Sequence, residues 1–321
     1  MNNITKTLLG FDIGGTKCAV LVGTYDGISI EIIAKESIPT GKNESPYIIT
    51  EQLCVLAEGL LEGKDVDAIG ISCGGPLDSK KGIVMRPPNL PLWDDFPICE
   101  ILTKRFNAPA HLQNDANACA LAEFKLGAGQ GTNNMVFLTF GTGLGAGIII
   151  NGMLYEGTNG NAGEVGLIRL ADKGPVGFGK AGSFEGFCSG GGIAQLGYID
   201  ACEEINKGAV IPYFDAAKPY GGLSAKILAE QAYLGDDFAL SIYKKCGHYL
   251  GKGLSVLIDI LNPERIVIGS IFARSGELLI SEMEKEIKQE ALPCSSSVCN
   301  IVPAMLGEQI GDYAALITAT L

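Results

Sequence analysis

Apolar positions along this 321-residue chain change period several times, and each change predicts an element. Residues 9–13 and 17–22 are two apolar runs broken by Gly14, Gly15 and Thr16, the pattern of a hairpin with a glycine tip. Residues 28–37 continue as a third strand after Asp26-Gly27. Residues 48–61 repeat apolar side chains at the spacing of an amphipathic helix, and 68–73 form a buried strand. A helix is expected over 98–106 and an extended segment over 110–113. An alanine-rich helix over 116–126 begins just after Asn114-Asp115.

The pattern then starts again. Residues 135–140 read as a strand, 141–143 as a glycine turn, and 144–150 as a second strand. Asn151-Gly152 is a two-residue turn into a third. This second meander follows the first by about 130 residues, which reads as an internal duplication on the scale of lobes. Further on, 238–261 is a long helix, 265–268 a strand, 275–289 an amphipathic helix, and 306–320 a closing helix. The expectation is an α/β chain of two lobes, 1–115 and 116–307, with a C-terminal helix over 308–321 crossing back to the first. The length suits two cores rather than one.

Composition narrows the function. Hydrophobic residues make up 47% and charged residues 19%, which supports a substantial core and excludes disorder. A formal net charge of −12 disfavours a large footprint on nucleic acid or anionic lipid. Residues 1–8 show no secretory or transit pattern, so a cytoplasmic location is expected. The uncharged stretch 126–155 is interrupted by Gly, Asn and Thr and reads as buried strands rather than a membrane span. Ten cysteines without a C-x-x-C pair read as reduced, buried small hydrophobes, and two histidines cannot build a His-rich metal centre. Forty-four glycines, nearly twice the average share of roughly 7%, imply many turns or close backbone approaches.

Phosphate chemistry points to those glycines. No G-x-x-x-x-G-K-[ST] is present, which excludes a P-loop NTPase. Gly141-Thr-Gly-Leu-Gly-Ala-Gly147 runs into a strand instead of opening a helix, so it is not a dinucleotide fingerprint. What remains is two glycine-tipped hairpins, Asp12-Ile-Gly-Gly-Thr-Lys17 and Thr139-Phe-Gly-Thr-Gly143. Facing each other across a cleft, they would offer backbone N–H groups and Thr hydroxyls to phosphate oxygens. Taken singly, either is equally a plain tight turn.

Several blocks in order resemble one family. Leu9-Gly-Phe-Asp-Ile-Gly-Gly-Thr-Lys17, Cys73-Gly-Gly-Pro-Leu-Asp78, Pro88-Asn-Leu-Pro-Leu-Trp93, Asn114-Asp-Ala-Asn-Ala118, Phe140-Gly-Thr-Gly-Leu-Gly-Ala-Gly147, Gly163-Glu-Val-Gly166 and Asn262-Pro-Glu-Arg-Ile-Val-Ile-Gly269 are similar to the motifs of ROK-family sugar kinases, over nearly the whole chain. The resemblance implies the actin-like ATPase fold, two RNase H-like α/β lobes with a cleft between them, and transfer of the ATP γ-phosphoryl group to a hexose. It implies Asp115 as the general base for the sugar 6-hydroxyl, although Asp at such a position also serves as a helix N-cap. Asp12 would hold Mg²⁺ through water. Gly14, Gly15, Thr16 and Lys17, then Gly141, Thr142 and Gly143, would bind phosphate, and Gly269 and Ser270 would pack adenosine. Lys17 reads equally as a solvated hairpin charge. The sugar would be held by Gly75, Asn89, Asn114, Asp115, Glu164 and Glu185, with loop capping the alternative for Asn89 and a solvent-facing charge for Glu185.

Two departures stand out. The family commonly has a second Gly where Ser270 stands. ROK proteins also place a His three residues after the first Glu, then a C-x-C-G-x-x-G-C run, to bind structural zinc; here those positions are Leu167, Val176, Phe178 and Ser183. Zn²⁺ needs four N or S ligands, so no zinc is expected, and Phe178, Phe184 and Phe187 are expected to pack in its place. The missing His usually touches the sugar near its anomeric end. Glucose therefore shares the field with N-acetylmannosamine, fructose, allose and β-glucosides, and a catalytically inactive sugar sensor is the alternative of a different class. ROK repressors carry an N-terminal helix-turn-helix domain, whereas the first phosphate strand here starts within a few residues of Met1, so a kinase is expected. A homodimer is the family's usual state.

Overall fold

The glycine-tipped hairpin is present as β1 (Lys6–Ile13) and β2 (Lys17–Tyr25), paired antiparallel with Asp12 opposite Ala19. The structure is a computed structural model that describes residues 5–41 and 43–321; the first four positions of the 1–8 stretch read above for a targeting signal lie outside it. The chain continues through β3 (Ile30–Pro39), α1 (Pro46–Leu61), β4 (Ala68–Cys73), the short hairpin β5 (Leu77–Asp78) and β6 (Ile83–Val84), α2 (Ile98–Phe106), β7 (Ala110–Asn114) and α3 (Asp115–Leu126). Next come β8 (Met135–Leu138), β9 (Ala146–Ile150), β10 (Met153–Leu154), the hairpin β11 (Val176–Gly177) and β12 (Lys180–Ala181), α4 (Phe184–Phe187), α5 (Gly190–Asn206) and α6 (Ala225–Tyr233). The chain ends with α7 (Asp237–Leu261), β13 (Arg265–Ile268), α8 (Ile271–Ser275), α9 (Glu277–Glu290), α10 (Pro293–Ser296), β14 (Asn300–Pro303) and α11 (Ile310–Thr318).

One five-stranded sheet has the order β3-β2-β1-β4-β7 and the other β10-β9-β8-β13-β14. Each therefore runs third, second, first, fourth, fifth in its own strands, so the repeat seen in the sequence is a repeat of topology. β1, β4 and β7 are mutually parallel, as are β8, β13 and β14. Parallel strands are covered on both faces, which is why all six residues of β4 are buried. The uncharged stretch 126–155 contains β8, β9 and β10, and no helix among the described residues is long and apolar enough to cross a membrane.

Two compact units result, Met1–Thr132 with Gly147–Ala162 and Met305–Leu321, and Asn133–Ala146 with Gly163–Ala304. The sequence-based boundary near residue 115 falls inside the first unit, because α3 packs against α11 there. Glu123, fully buried on α3, accepts the N–H groups of Ala128, Met305 and Leu306 at 2.7, 3.2 and 2.9 Å. A buried carboxylate needs such donors, and these tie the chain's return to α3. α11 then lies directly on β4: a Cβ at Gly70 would stand 2.0 Å from the Ala315 carbonyl oxygen. The first unit's core includes Phe11, Ile71, Trp93 and Phe96. Phe140, Phe184, Tyr243 and Leu250 lie in the core of the second.

Candidate active site

In the first unit, three parallel strands end side by side. Register places Asp12 of β1 opposite Ser72 of β4, and Cys73 of β4 opposite Asn114 of β7. The loops that follow carry Gly14–Thr16, Gly74-Gly75 and Asp115, so candidate residues distant in sequence share the carboxyl edge of one sheet. That edge is the usual ligand position in open α/β sheets.

The first glycine turn is tightly made. Gly14 N–H donates to Lys17 O at 3.2 Å, Thr40 N–H to Thr16 O at 3.0 Å, and the Thr40 hydroxyl to Gly14 O at 2.5 Å. A Cβ at Gly15 would lie 2.5 Å from Cβ of Asn89, and one at Gly75 would lie 3.2 Å from Nδ2 of Asn114. The glycines thus bring Asn89 against the phosphate turn and Asn114 against the 74–75 loop. Gly75-Pro76 is a cis peptide.

At the start of α3 the cap is Asn114, whose side chain accepts the Ala116 N–H at 3.0 Å. Asp115 occupies the first helical position, and its Oδ1 accepts the same N–H at 2.8 Å. The capping role proposed for Asp115 thus falls mainly to its neighbour. Asp115 is exposed as a residue, yet the protein around its carboxyl desolvates that group and pushes it above the ordinary carboxylate value, partly opposed by the Ala116 N–H. Asp12 is pushed up to about 6, chiefly by burial and then by the negative charges of Asp312 and Asp115, with Lys35 and Lys17 opposing.

Several neighbours carry no signal in the sequence. Lys35 on β3 pairs with buried Asp312 on α11 at 2.5 Å, and a Cβ at Gly311 would lie 3.3 Å from Asp12 Oδ2. Buried Gln113 accepts from Asn114 N–H and from Asn117 Nδ2, while its own Nε2 donates to Glu156 Oε1 at 3.1 Å. Ser79 Oγ donates to that same oxygen at 2.9 Å. This network holds the β7–α3 junction where Asp115 sits. Its members come from β7, α3 and two loops with no motif in common, so only the fold reveals it.

The second unit carries the other turn. Gly141 N–H donates to Gly143 O at 3.0 Å, Gly190 N–H to Gly141 O at 2.8 Å, and Ile271 N–H to Phe140 O at 3.0 Å. Thr142 at the tip is exposed. Glu185 is not a solvent-facing charge: its Oε2 accepts the Leu144 N–H at 3.0 Å and lies 2.7 Å from where a Gly143 Cβ would be. Glu164 is exposed, just ahead of a single turn of 3₁₀ helix, Val165–Leu167. Flanking it, a Cβ on Gly163 (φ +94°) would meet the Ala146 oxygen at 2.0 Å, and one on Gly166 would meet the Leu144 oxygen at 2.3 Å. Ser270 has φ +49°, the left-handed region that favours glycine, so the serine stands where the backbone asks for the family's second Gly. It lies beside Gly141, whose Cβ would be 3.4 Å from Ser270 Oγ.

At the zinc positions Leu167, Val176 and Phe178 offer no ligand atom and the Ser183 hydroxyl caps α4, a donor set that does not suit zinc. Among the described residues no group of three or more His, Cys, Asp or Glu is placed to hold a metal ion. Phe184 and Phe187 are buried, but Phe178 is 74% exposed. It sits in the β11–β12 turn with φ +45°, outside the core, so of the three phenylalanines expected to pack only two are buried. All ten cysteines are free. Burial pushes the Cys54 and Cys99 thiols to about 12, and those of Cys73, Cys119 and Cys188 upward, which keeps them protonated and inert.

Two helix-flanked sheets of one strand order, each with a glycine turn after its first strand, make up the actin-like ATPase fold. The chain belongs to the ROK family, whose profile matches residues 8–320. It is 34% identical over 310 residues to a glucokinase of Halalkalibacterium halodurans, covering 94% of this chain and 92% of that protein. A ROK family glucokinase from Streptomyces griseus, solved with glucose and AMPPNP, is 30% identical with a TM-score of 0.75, covering 98% of this chain and 99% of that one. A ROK family transcriptional regulator, a homolog of the E. coli MLC protein, has a TM-score of 0.84 at 25% identity, covering 99% of this chain and 79% of that one.

Proposed function

We propose that this chain is an ATP-dependent hexose kinase that phosphorylates the 6-hydroxyl of glucose, with Asp115 as general base. The observation that carries the reading is the placement of Asp115: a carboxylate at the edge of the parallel strands, its helix already capped by Asn114. Its raised pKa makes it a better proton acceptor once ionised.

In the reaction, the 6-hydroxyl oxygen attacks the γ-phosphorus as Asp115 takes the hydroxyl proton. The bond to the β,γ-bridging oxygen breaks and ADP leaves. Most of the acceleration in phosphoryl transfer comes from alignment and charge neutralisation. Gly75, Asn89, Asn114, Glu164 and Glu185 would orient the sugar. The amides of Gly14–Lys17 and Gly141–Gly143 would cradle the phosphates, and Gly269 and Ser270 would pack adenosine. Asp12 suits Mg²⁺: three carboxylates, Asp12, Asp115 and Asp312, gather against two lysines, an excess of hard oxygen donors. Bound there through water, Mg²⁺ would neutralise charge on the phosphoryl group.

The second reading is a sugar sensor without turnover, favoured by the likeness to a ROK regulator. A panel of hexoses with Mg-ATP separates the two. The kinase reading expects glucose to give the highest kcat/KM, with N-acetylmannosamine, fructose and allose lower. Highest turnover on another hexose would move the substrate, and sugar binding with no ADP release on any member would establish the sensor.

A further inference from the structure

The segment between Glu164 and Glu185 is ordered in this chain by contacts made within the second unit. Gln195, on α5, forms a two-point lock on β11: its Oε1 accepts the Val176 N–H at 3.0 Å and its Nε2 donates to the Val176 oxygen at 2.9 Å. Arg169 Nη1 donates to the Ala181 oxygen at 2.8 Å and Lys180 Nζ to the Leu167 oxygen at 2.6 Å. Ser183, at the last of the four zinc positions, instead caps α4 by accepting the Gly186 N–H at 3.1 Å. Phe187 stacks on Tyr249 with ring centroids 3.4 Å apart.

The lock lies directly behind a site residue. A Cβ at Gly177, the residue after Val176 in β11, would stand 2.8 Å from Cβ of Glu185 and 2.6 Å from the Gly186 nitrogen, so the hairpin is packed against the Glu185 backbone. Glu185 in turn accepts the Leu144 N–H beside the Gly141–Gly143 turn. A chain of direct contacts therefore runs from Gln195 through the hairpin to Glu185 and on to the phosphate turn.

We infer that Gln195 is a positioning residue whose side-chain amide, in place of a metal ion, fixes the Val176–Ala181 hairpin behind Glu185 and so sets both the sugar carboxylate and the phosphate turn. A glutamine suits this role because one planar group offers an acceptor and a donor that match the N–H and C=O of a single residue, Val176, in extended backbone. The inference rests on the kinase reading for its kinetic consequence, but not for its structural one.

The test compares the wild-type chain with Gln195→Met, which keeps side-chain bulk and removes both hydrogen bonds. By hydrogen exchange, the 174–183 segment of the variant should exchange roughly tenfold faster, with α7 unchanged. Treating the wild type with EDTA should leave that segment's exchange unaltered. If the chain phosphorylates a hexose, the variant should raise KM for both sugar and ATP by roughly fivefold, with kcat within about twofold. Unaltered exchange at 174–183 in the variant, or faster exchange in the wild type after EDTA with release of stoichiometric zinc, would overturn the inference whether or not the chain has kinase activity. Faster exchange with both KM values unchanged would reduce Gln195 to a local brace and remove its positioning role. A variant that fails to fold leaves the EDTA arm on wild-type protein to decide whether a metal holds the segment. Absence of turnover in the wild type would count against the kinase reading alone, because the exchange arm reads the lock directly.

Discussion

Asp115→Asn lowers kcat for hexose phosphorylation by about 10²–10⁴-fold, the span attributed to a positioned acid or base, while the chain stays folded. The helix start does not depend on the charge. Asn114 supplies the cap, and an asparagine at 115 retains an oxygen for the Ala116 N–H now held at 2.8 Å. The pH profile adds a second signature. Because desolvation raises the Asp115 pKa, its ionised fraction, and hence the wild-type rate, climbs with pH through a value above the ordinary 3.8 for a carboxyl group. Asp115→Asn should lose that limb. Coupled ADP-release kinetics across pH, with circular dichroism on the variant, make the comparison; a kcat within tenfold of wild type would remove Asp115 as base.

Asp12→Asn should abolish activity and yet stabilise the protein at neutral pH. The folded-state value near 6 lies above the ordinary 3.8, so the folded chain holds this proton more tightly than the unfolded chain does. As pH rises from about 4 to about 6 the unfolded state ionises first, and stability falls across that window. At 1.36 kcal/mol per pKa unit the penalty at pH 7 is at most about 3 kcal/mol, reduced by solvent reaching a carboxylate that is only partly buried. Removing the charge relieves its desolvation first and then the repulsion from Asp312 and Asp115. Urea unfolding in EDTA should therefore show the variant more stable by about 1–3 kcal/mol at pH 7 and equal to wild type below pH 4. Equal stability at pH 7 would mean that Asp12 carries no such strain. Such an exchange of stability for function is common where like charges are held together at a site.

Much of this site can be read in the residues. The two glycine hairpins stand out because a break in strand periodicity at Gly14-Gly15 and at Gly141–Gly143 is a local signal, and the repeated meander foretells two sheets of one topology. Asp115 is visible because an alanine-rich helix begins beside it. Other parts are silent for physical reasons. α5 opens with Gly190, Gly191 and Gly192, poor helix formers, yet a Cβ at Gly192 would lie 2.1 Å from the Gly186 oxygen, so packing against α4 overrides propensity there. Lys35 and Asp312 are 277 residues apart and become a pair only when α11 returns to the first sheet. Gln195 lies in an unremarkable helical stretch; nothing in its sequence neighbourhood marks the Val176 backbone groups it grips. The departure at Ser270, visible in sequence only as a missing glycine, becomes a backbone statement once its φ of +49° is known.

Transfer of a phosphoryl group from ATP to a hexose oxygen is the reaction to be tested. The most direct measurement incubates the purified chain with Mg-ATP and glucose, then counts ADP and identifies the sugar product by mass spectrometry and phosphorus NMR. A hexose kinase gives glucose 6-phosphate and ADP in equal amounts, with little ADP when sugar is left out. ADP formed without any sugar phosphate, or glucose that binds and is recovered unchanged, would contradict it.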